Sequence, residues 1–219
     1  MTKFVELSHP IVEGMKTFPG LPGPKRVLLF DHAGSSRVYK EQASFLIASL
    51  HLCGNTGTYV DSPYHRFADA PDLAGLPLER LADLEYVYVD GRARAGRGIG
   101  PEAFHGLECR GKAVLVHTGW DERWGTEQYF EPNPFLNEDA CLRLVEAGAV
   151  FVGIDSVNID DMSDLRRPAH TVLLGAGIPV CEHMTNLVAA AQGEGRLHAV
   201  PIAWQGGATF PVRTYLVRR

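Results

Sequence analysis

The chain has 219 residues, of which 45% are hydrophobic and 21% are charged, the composition of a globular protein that can bury a sizeable core. Its net charge of -5 and pI near 6.0 exclude the basic surface typical of nucleic-acid-binding proteins. It has no apolar window of about 18 residues and no long apolar run at its N-terminus, so we expect neither a membrane span nor a signal peptide.

The cysteines indicate a reducing compartment. Cys53, Cys109, Cys141 and Cys181 are scattered without a C-x-x-C spacing. At least three of them lie in apolar segments, where a reduced thiol packs as a small hydrophobic group. We therefore predict a cytoplasmic protein whose partner is a small molecule, with no nucleic acid and no membrane involved.

Strands dominate the predicted secondary structure. Short apolar, β-branched or aromatic runs bounded by turn signals predict seven strands, at residues 26–30, 44–53, 86–90, 113–117, 150–154, 198–204 and 210–217. Between them, Asn137 is a favourable N-cap and Gly148 a favourable end for one longer helix. Residues 78–84 and 101–107 are predicted as helices of one or two turns.

This order of elements predicts one α/β domain over residues 1–219, built on a mixed β-sheet. Composition does not change across the loops at residues 19–25 and 126–134, so we interpret them as functional loops rather than as domain linkers.

The segment from Gly54 to His65 is a candidate catalytic corner. Gly57 and Pro63 restrict its backbone, and such a turn can direct the side chains of Asp61 and His65 towards one point. The same spacing also suits an Asx-turn beside a surface histidine, so it does not settle the role of either residue.

Polar and apolar residues alternate along the predicted strand that precedes this corner. If residues 44–55 are one extended strand, Ser49, His51, Cys53 and Asn55 share one face. That polar face would then run towards the corner.

Other polar residues follow apolar strands, the position where ligands bind in α/β sheets. Glu182 and His183 follow one such run, which His170 opens, whereas Asp155 and His117 follow two others. Each also has an ordinary structural explanation, because a single histidine usually forms structural hydrogen bonds and an aspartate can cap a turn.

Aromatic residues lie close together in the sequence near the second long loop. Trp120, Trp124 and Tyr129 could line an aromatic pocket or simply pack a loop over the core.

The corner resembles the motif H-x-G-T-H-x-D-x-P-x-H of the cyclase family of metal-dependent hydrolases, which includes bacterial kynurenine formamidases and isatin hydrolases. The turn, Asp61 and His65 match, whereas Asn55 and Tyr59 replace two histidines. The resemblance continues through short segments at residues 7–10, 18–20, 118–120, 153–156, 170–177, 182–187 and 211–213.

The resemblance implies a swivelling β/β/α fold and a homodimer or homotetramer. It also implies that Asp61, His170 and Glu182 bind metal, that His65 is the general acid/base and that Phe18 contacts the substrate. Trp120, His183 and Asn55 are further candidates for substrate contact.

In family members with both motif histidines, the resemblance implies two zinc ions, but Asn55 and Tyr59 disfavour such a two-metal site in this chain. A carboxamide oxygen is a weak zinc ligand, and a tyrosine binds well only as the phenolate. Three alternatives stay open: one Zn or Mn ion on Asp61, His170 and Glu182; a rebuilt site that recruits His65, His51 or His183; or no metal. A protonated Tyr59 could instead act in catalysis by donating a hydrogen bond to Asp61 or to the developing oxyanion.

The predicted activity is hydrolysis of an amide, lactam or lactone bond in a small aromatic substrate. In this mechanism a metal polarises the carbonyl and His65 transfers the proton. A non-catalytic binding protein on the same scaffold and a metal-independent enzyme that closes or isomerises rings through His65 and Glu182 are the two alternatives.

Overall fold

The computed structural model describes residues 3–92 and 96–218. These residues form strands, 3₁₀ turns and three short α-helices. The strands are β1 (Lys3–Glu6), β2 (Lys25–Phe30), β3 (Ile47–His51), β4 (Tyr59–Asp61), β5 (Tyr86–Asp90), β6 (Gly98–Ile99), β7 (Ala113–His117), β8 (Phe135–Leu136), β9 (Phe151–Ile154), β10 (Val180–Glu182), β11 (Arg196–His198), β12 (Thr209–Pro211) and β13 (Tyr215–Arg218). The helices are α1 (His32–Val38), α2 (Glu138–Glu146) and α3 (Pro168–Gly175).

A mixed sheet forms the centre of the protein, with strand order β12-β4-β10-β9-β7-β5. The strands β5, β7, β9 and β10 are parallel, whereas β4 is antiparallel to both β10 and β12. Every residue of β7 and β9 is buried, as expected for parallel strands that are covered on both faces.

The two faces of this sheet contribute to two separate cores. On one face, Leu115 and Phe151 pack with Leu197 and Leu216 of the sheet β1-β13-β11. On the other face, residues such as Val152 pack against α2 and α3. The result is a β/β/α layering, and the predicted α/β class with a mixed central sheet is confirmed.

Helix α2 forms where the sequence predicts it. The Asn137 side chain accepts a hydrogen bond from the Ala140 backbone N–H at 2.9 Å, which satisfies one of the donors left free at a helix start. Buried Ala140, Cys141 and Leu144 form the face that packs into the core.

Several predicted boundaries need correction. The predicted strands 86–90 and 113–117 match β5 and β7, but the strand predicted at 198–204 is wrong, because β11 ends at His198. The chain then leaves the sheet, with Ile202 and Trp204 exposed. The run 210–217 divides into β12 and β13, and the helices predicted at 78–84 and 101–107 are short 3₁₀ turns.

The predicted polar strand face that continues to Asn55 is also wrong. Strand β3 ends at His51 and pairs with β2 in a separate two-stranded sheet. His51 is exposed on this hairpin. None of the helices in the two described stretches of chain is long and apolar enough to cross a membrane.

Candidate functional site

The antiparallel pairing of β4 with β10 positions the first site residues. Tyr59 is the register partner of Glu182, and Asp61 pairs with Val180 two residues further along. Because side chains alternate along a strand, Tyr59, Asp61 and Glu182 share one face of the sheet. Asp61 and Glu182 are completely buried and Tyr59 is nearly so.

Helix α3 adds an imidazole to this face. Asp160 accepts hydrogen bonds from the backbone N–H groups of Ala169 and His170, at 2.6 and 3.2 Å, and so holds the first turn of the helix. The same carboxylate binds His170 Nδ1 at 2.6 Å. This bond leaves Nε2 directed to the centre of the site, the arrangement in which a carboxylate orients a metal-binding histidine.

Two carboxylates converge on this Nε2 atom. It lies 3.6 Å from Asp61 Oδ2 and 3.6 Å from Glu182 Oε1, and the ligand atoms of Asp61, His170 and Glu182 all lie within 4.8 Å of one another. Both carboxylate oxygens of Asp61 are buried without a hydrogen-bond partner among the residues that the structure describes. Such orphaned acceptors are costly unless they bind an ion or water.

The electrostatics of the cluster favour a cation. Burial raises the pKa of Glu182 to about 7, and the nearby Asp61 adds to this effect. Burial lowers the pKa of His170, but the hydrogen bond to Asp160 and the carboxylates of Asp61 and Glu182 outweigh it and raise the pKa to about 10. The cluster thus contains three buried carboxylates, those of Asp61, Asp160 and Glu182, around a single imidazole. The donor set therefore fits a divalent ion, which would compensate this charge.

Tyr59 acts as a hydrogen-bond donor at the edge of this cluster. Its hydroxyl donates to Glu182 Oε2 rather than to Asp61. Thr209 holds Asn55 through a 3.1 Å bond to Oδ1. Burial and the charges of Glu182 and Asp61 raise the pKa of Tyr59 well above 10. Tyr59 is therefore a neutral phenol and a poor metal ligand.

A cavity of about 300 Å³ opens onto the cluster, a volume at the lower end for small-molecule sites. It is lined by Phe18, Leu21, Asn55, Tyr59, His65, Arg66, Asn158, Arg167 and His170. His65 ends the 3₁₀ turn Pro63–His65, is exposed, and has its ring centroid 5.7 Å from that of His170. The structure thus brings His65, Phe18 and Asn55 to one cavity beside the three candidate metal ligands.

His183 and Trp120 lie outside the lining of this cavity. His183 is completely buried behind Tyr59, and its Nδ1 lies 2.9 Å from the Tyr129 hydroxyl. Burial lowers the pKa of His183 to about 3. Trp120 Nε1 donates to the Tyr129 carbonyl at 2.9 Å, and Trp124 packs edge-on against the Tyr129 ring. These aromatics pack a loop over the core, and substrate contact by His183 or Trp120 stays a prediction.

A second polar cluster follows strands β7 and β9. His117 Nε2 lies 3.8 Å from Asp155 Oδ2, and both residues belong with Asp121 to a group of possible metal ligands. However, Thr118 donates two hydrogen bonds to Asp155 and Gly119 donates a third. Thus Asp155 joins the ends of the two strands, and its oxygens are satisfied by the protein itself.

Sequence reasoning missed several cavity and support residues. Asp160 orients His170, and Asn158, Arg66 and Arg167 line the cavity. A polar run after a strand was the available signal for Asn158 and Asp160, but it does not show which carboxylate would reach His170. His51, one of the residues considered for a rebuilt metal site, is on the exposed hairpin and belongs to neither metal-ligand group of the described chain.

Comparison with known proteins identifies the family to which the chain belongs. The model of the Cyclase family matches residues 5–161. The kynurenine formamidase of Salinibacter ruber is 30% identical over 83% of this chain and 84% of its own length. The kynurenine formamidase of Bacillus cereus is 25% identical over 98% of this chain and 97% of its own.

The fold has a close structural counterpart as well. A solved structure described as a potential metal-dependent hydrolase with cyclase activity superposes with a TM-score of 0.81 at 23% identity, covering 100% of this chain and 99% of its own. At this identity the likeness shows the fold alone. Because the family model and the Salinibacter relative both span most of the sequence, the chain belongs to the cyclase family of enzymes.

Proposed function

We propose that this enzyme hydrolyses an amide, lactam or lactone bond in a small aromatic substrate with the help of one divalent metal ion. The observation that carries the proposal is the pair of buried Asp61 oxygens beside His170 Nε2 and Glu182, which have no hydrogen-bond partner among the described residues. The kynurenine formamidase relatives support an aromatic amide as the substrate class.

Asp61, His170 and Glu182 would hold the ion. One imidazole nitrogen with two carboxylates is a donor set that suits Zn or Mn. When bound, such an ion supplies Lewis-acid polarisation of the substrate carbonyl and lowers the pKa of a water molecule. The protein contributes the fixed positions of its donors, since Asp160 orients His170 and the Ile159 N–H binds Glu182 Oε1 at 2.6 Å.

His65 and Tyr59 would handle protons and developing charge. His65 reaches the cavity from the rim, where its ring can accept the proton of the attacking water and return it to the leaving nitrogen. Tyr59 keeps its proton and donates it in a hydrogen bond to Glu182, which fixes the orientation of that carboxylate. Phe18 and Leu21 form an apolar wall against which an aromatic ring can pack.

A panel of substrates tests this function. The purified protein, with Zn or Mn added, is assayed on N-formylkynurenine, isatin and simple aryl esters. We expect hydrolysis of at least one of them and a loss of about 100-fold or more in Asp61→Ala and His65→Ala. His105→Ala, which removes an exposed histidine outside both the cavity lining and the metal-ligand clusters, is the matched control and keeps wild-type turnover.

Two results would contradict the proposal. Wild-type protein that hydrolyses none of the panel with added metal would remove the hydrolase assignment. Activity that survives thorough chelation would favour the metal-independent alternative, in which His65 and Glu182 form an acid/base pair.

We also propose that two copies of the chain associate through the arm, defined as residues 25–51 and comprising β2, α1 and β3. The arm exposes nine large apolar side chains, each 38 to 68% accessible: Val27, Leu28, Leu29, Phe30, Val38, Tyr39, Leu46, Ile47 and Leu50. An isolated two-stranded hairpin with so much exposed apolar surface is marginal in water. Covering this surface would stabilise the arm.

The charge of the arm supports a second copy as the partner. Four of the chain's 21 Lys and Arg residues and two of its 26 Asp and Glu residues lie in the arm, so the arm is basic and the rest of the chain is acidic. Leu50→Glu, at the most exposed of these apolar positions, should convert a dimer to a monomer in light scattering, whereas the exposed Leu142→Glu on α2 should not. A wild-type monomer at all concentrations would contradict the proposed assembly.

A cytoplasmic location completes the proposal. All four cysteines are free and three of them are buried, which suits a reducing compartment.

A further inference from the structure

Two arginines give the cavity a cationic rim. Arg66 and Arg167 both line it, and no Asp or Glu is among its lining residues in the described chain. Both lie near the start of α3, the helix that carries His170, so they approach the site from the same side. The fold therefore places positive charge at the entrance to the proposed reaction centre.

Neutral acceptors hold both guanidinium groups. Arg66 donates from Nε to Thr171 Oγ1 at 3.0 Å and from Nη2 to the Arg166 carbonyl at 2.8 Å. Arg167 donates from Nη1 to the Asp161 carbonyl at 3.1 Å. Within residues 3–92 and 96–218, neither arginine forms a salt bridge with a carboxylate. Their orientation is thus fixed while their charge stays available to an anion.

The neighbouring Arg166, unlike Arg66 and Arg167, is paired with acidic residues. It is bound by Asp164 at 2.8 Å and lies 3.8 Å from Glu138, and it does not line the cavity. The same segment therefore contains one arginine neutralised by acids and one directed to the cavity. This difference makes Arg166 a matched control for Arg167.

The backbone at Arg167 is unfavourable for an arginine. Its φ and ψ of 51° and 59° are left-handed, a conformation that glycine or asparagine adopts at lower cost, and it directly precedes Pro168, which disfavours helical angles at this position. Glycine at this position would therefore fit the backbone while removing the guanidinium group.

We propose that Arg66 and Arg167 form a subsite for a carboxylate carried by the substrate, so that the preferred substrates are aryl amides with an anionic group near the ring. The inference rests on the proposed hydrolase function and names its substrate class more closely. Guanidinium groups match carboxylates in shape and bind them through paired hydrogen bonds. The substrate's amide would then face Tyr59 and His170 while its carboxylate stays at the rim.

Kinetics on a matched pair of substrates test the subsite. We compare 2-formamidobenzoate with its neutral isostere 2-formamidobenzamide on metal-supplemented protein. The wild type should favour the carboxylate by about tenfold or more in kcat/KM, mainly through KM, and added salt should reduce this preference. Arg66→Gln and Arg167→Gln should each reduce the preference to about threefold or less, whereas Arg166→Gln should retain it. Arg167→Gly, which suits the left-handed backbone, checks that misfolding is not the cause.

A binding measurement separates this inference from the hydrolase proposal. Calorimetric titration with 2-aminobenzoate and 2-aminobenzamide needs no turnover. If no substrate is hydrolysed but wild type binds the carboxylate more tightly and both Arg→Gln variants lose that preference, the hydrolase proposal fails and the subsite stands. The subsite is overturned if wild type binds 2-aminobenzoate no more tightly than 2-aminobenzamide. It is also overturned if both variants keep the preference for the carboxylate, because the metal-ligand cluster would then be what binds it.

Discussion

The Tyr59 hydroxyl donates a hydrogen bond to Glu182 Oε2 across the antiparallel pair β4 and β10, in which these two residues are register partners. The family motif has a histidine at position 59. In this chain the position instead supplies a neutral phenol. Asn55, at the other histidine position of the motif, lines the same cavity as Tyr59, so the two departures from the motif lie together beside the proposed ligands.

Tyr59→Phe tests whether the Tyr59 hydroxyl contributes to catalysis. Loss of the hydroxyl frees Glu182 Oε2 and removes a donor from the cavity wall, so we expect kcat to fall by about 10- to 100-fold. Metal content, measured by elemental analysis, should stay at the wild-type value because Asp61, His170 and Glu182 are unchanged. Tyr129→Phe removes another buried hydroxyl outside the cavity and is the control. Unchanged turnover in Tyr59→Phe would remove the catalytic role.

The double variant Asn55→His with Tyr59→His tests the consequence of the missing imidazoles. It restores the motif of the resemblance and replaces a neutral phenol and an amide with two zinc ligands. We expect metal content to rise from about one to about two ions per chain, measured after loading with zinc and dialysis. A ratio that stays at the wild-type value would show that other residues also limit the site to one ion.

Asp155→Ala should destabilise the protein without acting on the cavity. The Asp155 carboxylate accepts hydrogen bonds from the Thr118 N–H, the Thr118 hydroxyl and the Gly119 N–H, at 2.7, 2.6 and 2.8 Å. Its removal leaves buried donors unsatisfied, so we expect the free energy of unfolding to fall by about 2–4 kcal/mol in urea titrations. Activity per folded molecule should be retained. A large loss of activity at full stability would instead indicate that the second polar cluster takes part in the reaction.

His9 should contribute to a loss of stability of the folded protein at acidic pH. Its ring stacks on Trp124 at 4.0 Å, and burial lowers its pKa to about 4, although Asp121 acts in the opposite direction. The unfolded chain therefore binds this proton more readily, and the free energy of unfolding decreases as pH falls from about 6.5 towards 4. The slope from His9 stays below about 1.4 kcal/mol per pH unit, because unfolding takes up at most one proton on this ring. Solvent screening of the partly exposed ring reduces the total contribution further.

His9→Gln should remove this contribution. Between pH 7 and pH 5, we expect the variant to lose less stability than the wild type, by up to about 1 kcal/mol in urea titrations. The control is His105→Gln, which removes an exposed histidine outside the arm. Equal losses in wild type and His9→Gln would mean that His9 does not titrate differently in the folded protein.

The sequence predicts best those helices and strands whose local residue pattern matches their burial in the fold. Strand β7 is a continuous apolar run buried on both faces, and α2 has both an N-cap and an apolar face. By contrast, residues 168–180 form one apolar run without helical or strand periodicity. The structure divides this run into α3 and the start of β10, because Pro168 starts a helix that is buried on most sides.

The site depends on pairing that local patterns do not specify. The resemblance identifies Asp61, His170 and Glu182, but their proximity arises from the pairing of β4 with β10 and from the position of α3 over that pair. Asp160 and Arg167 were missed for the same reason. Nothing in their neighbourhood distinguishes them from Asp161 and Arg166, which the fold directs elsewhere.

An anomalous difference map from crystals grown with zinc or manganese tests the central claim most directly. We predict a single strong peak between Asp61 Oδ2, His170 Nε2 and Glu182 Oε1, at ligand distances of about 2.0–2.2 Å for zinc, and its loss in Asp61→Asn. A map without a peak there, collected from protein that hydrolyses its substrate in the same metal-containing buffer, would contradict the metal-assisted mechanism.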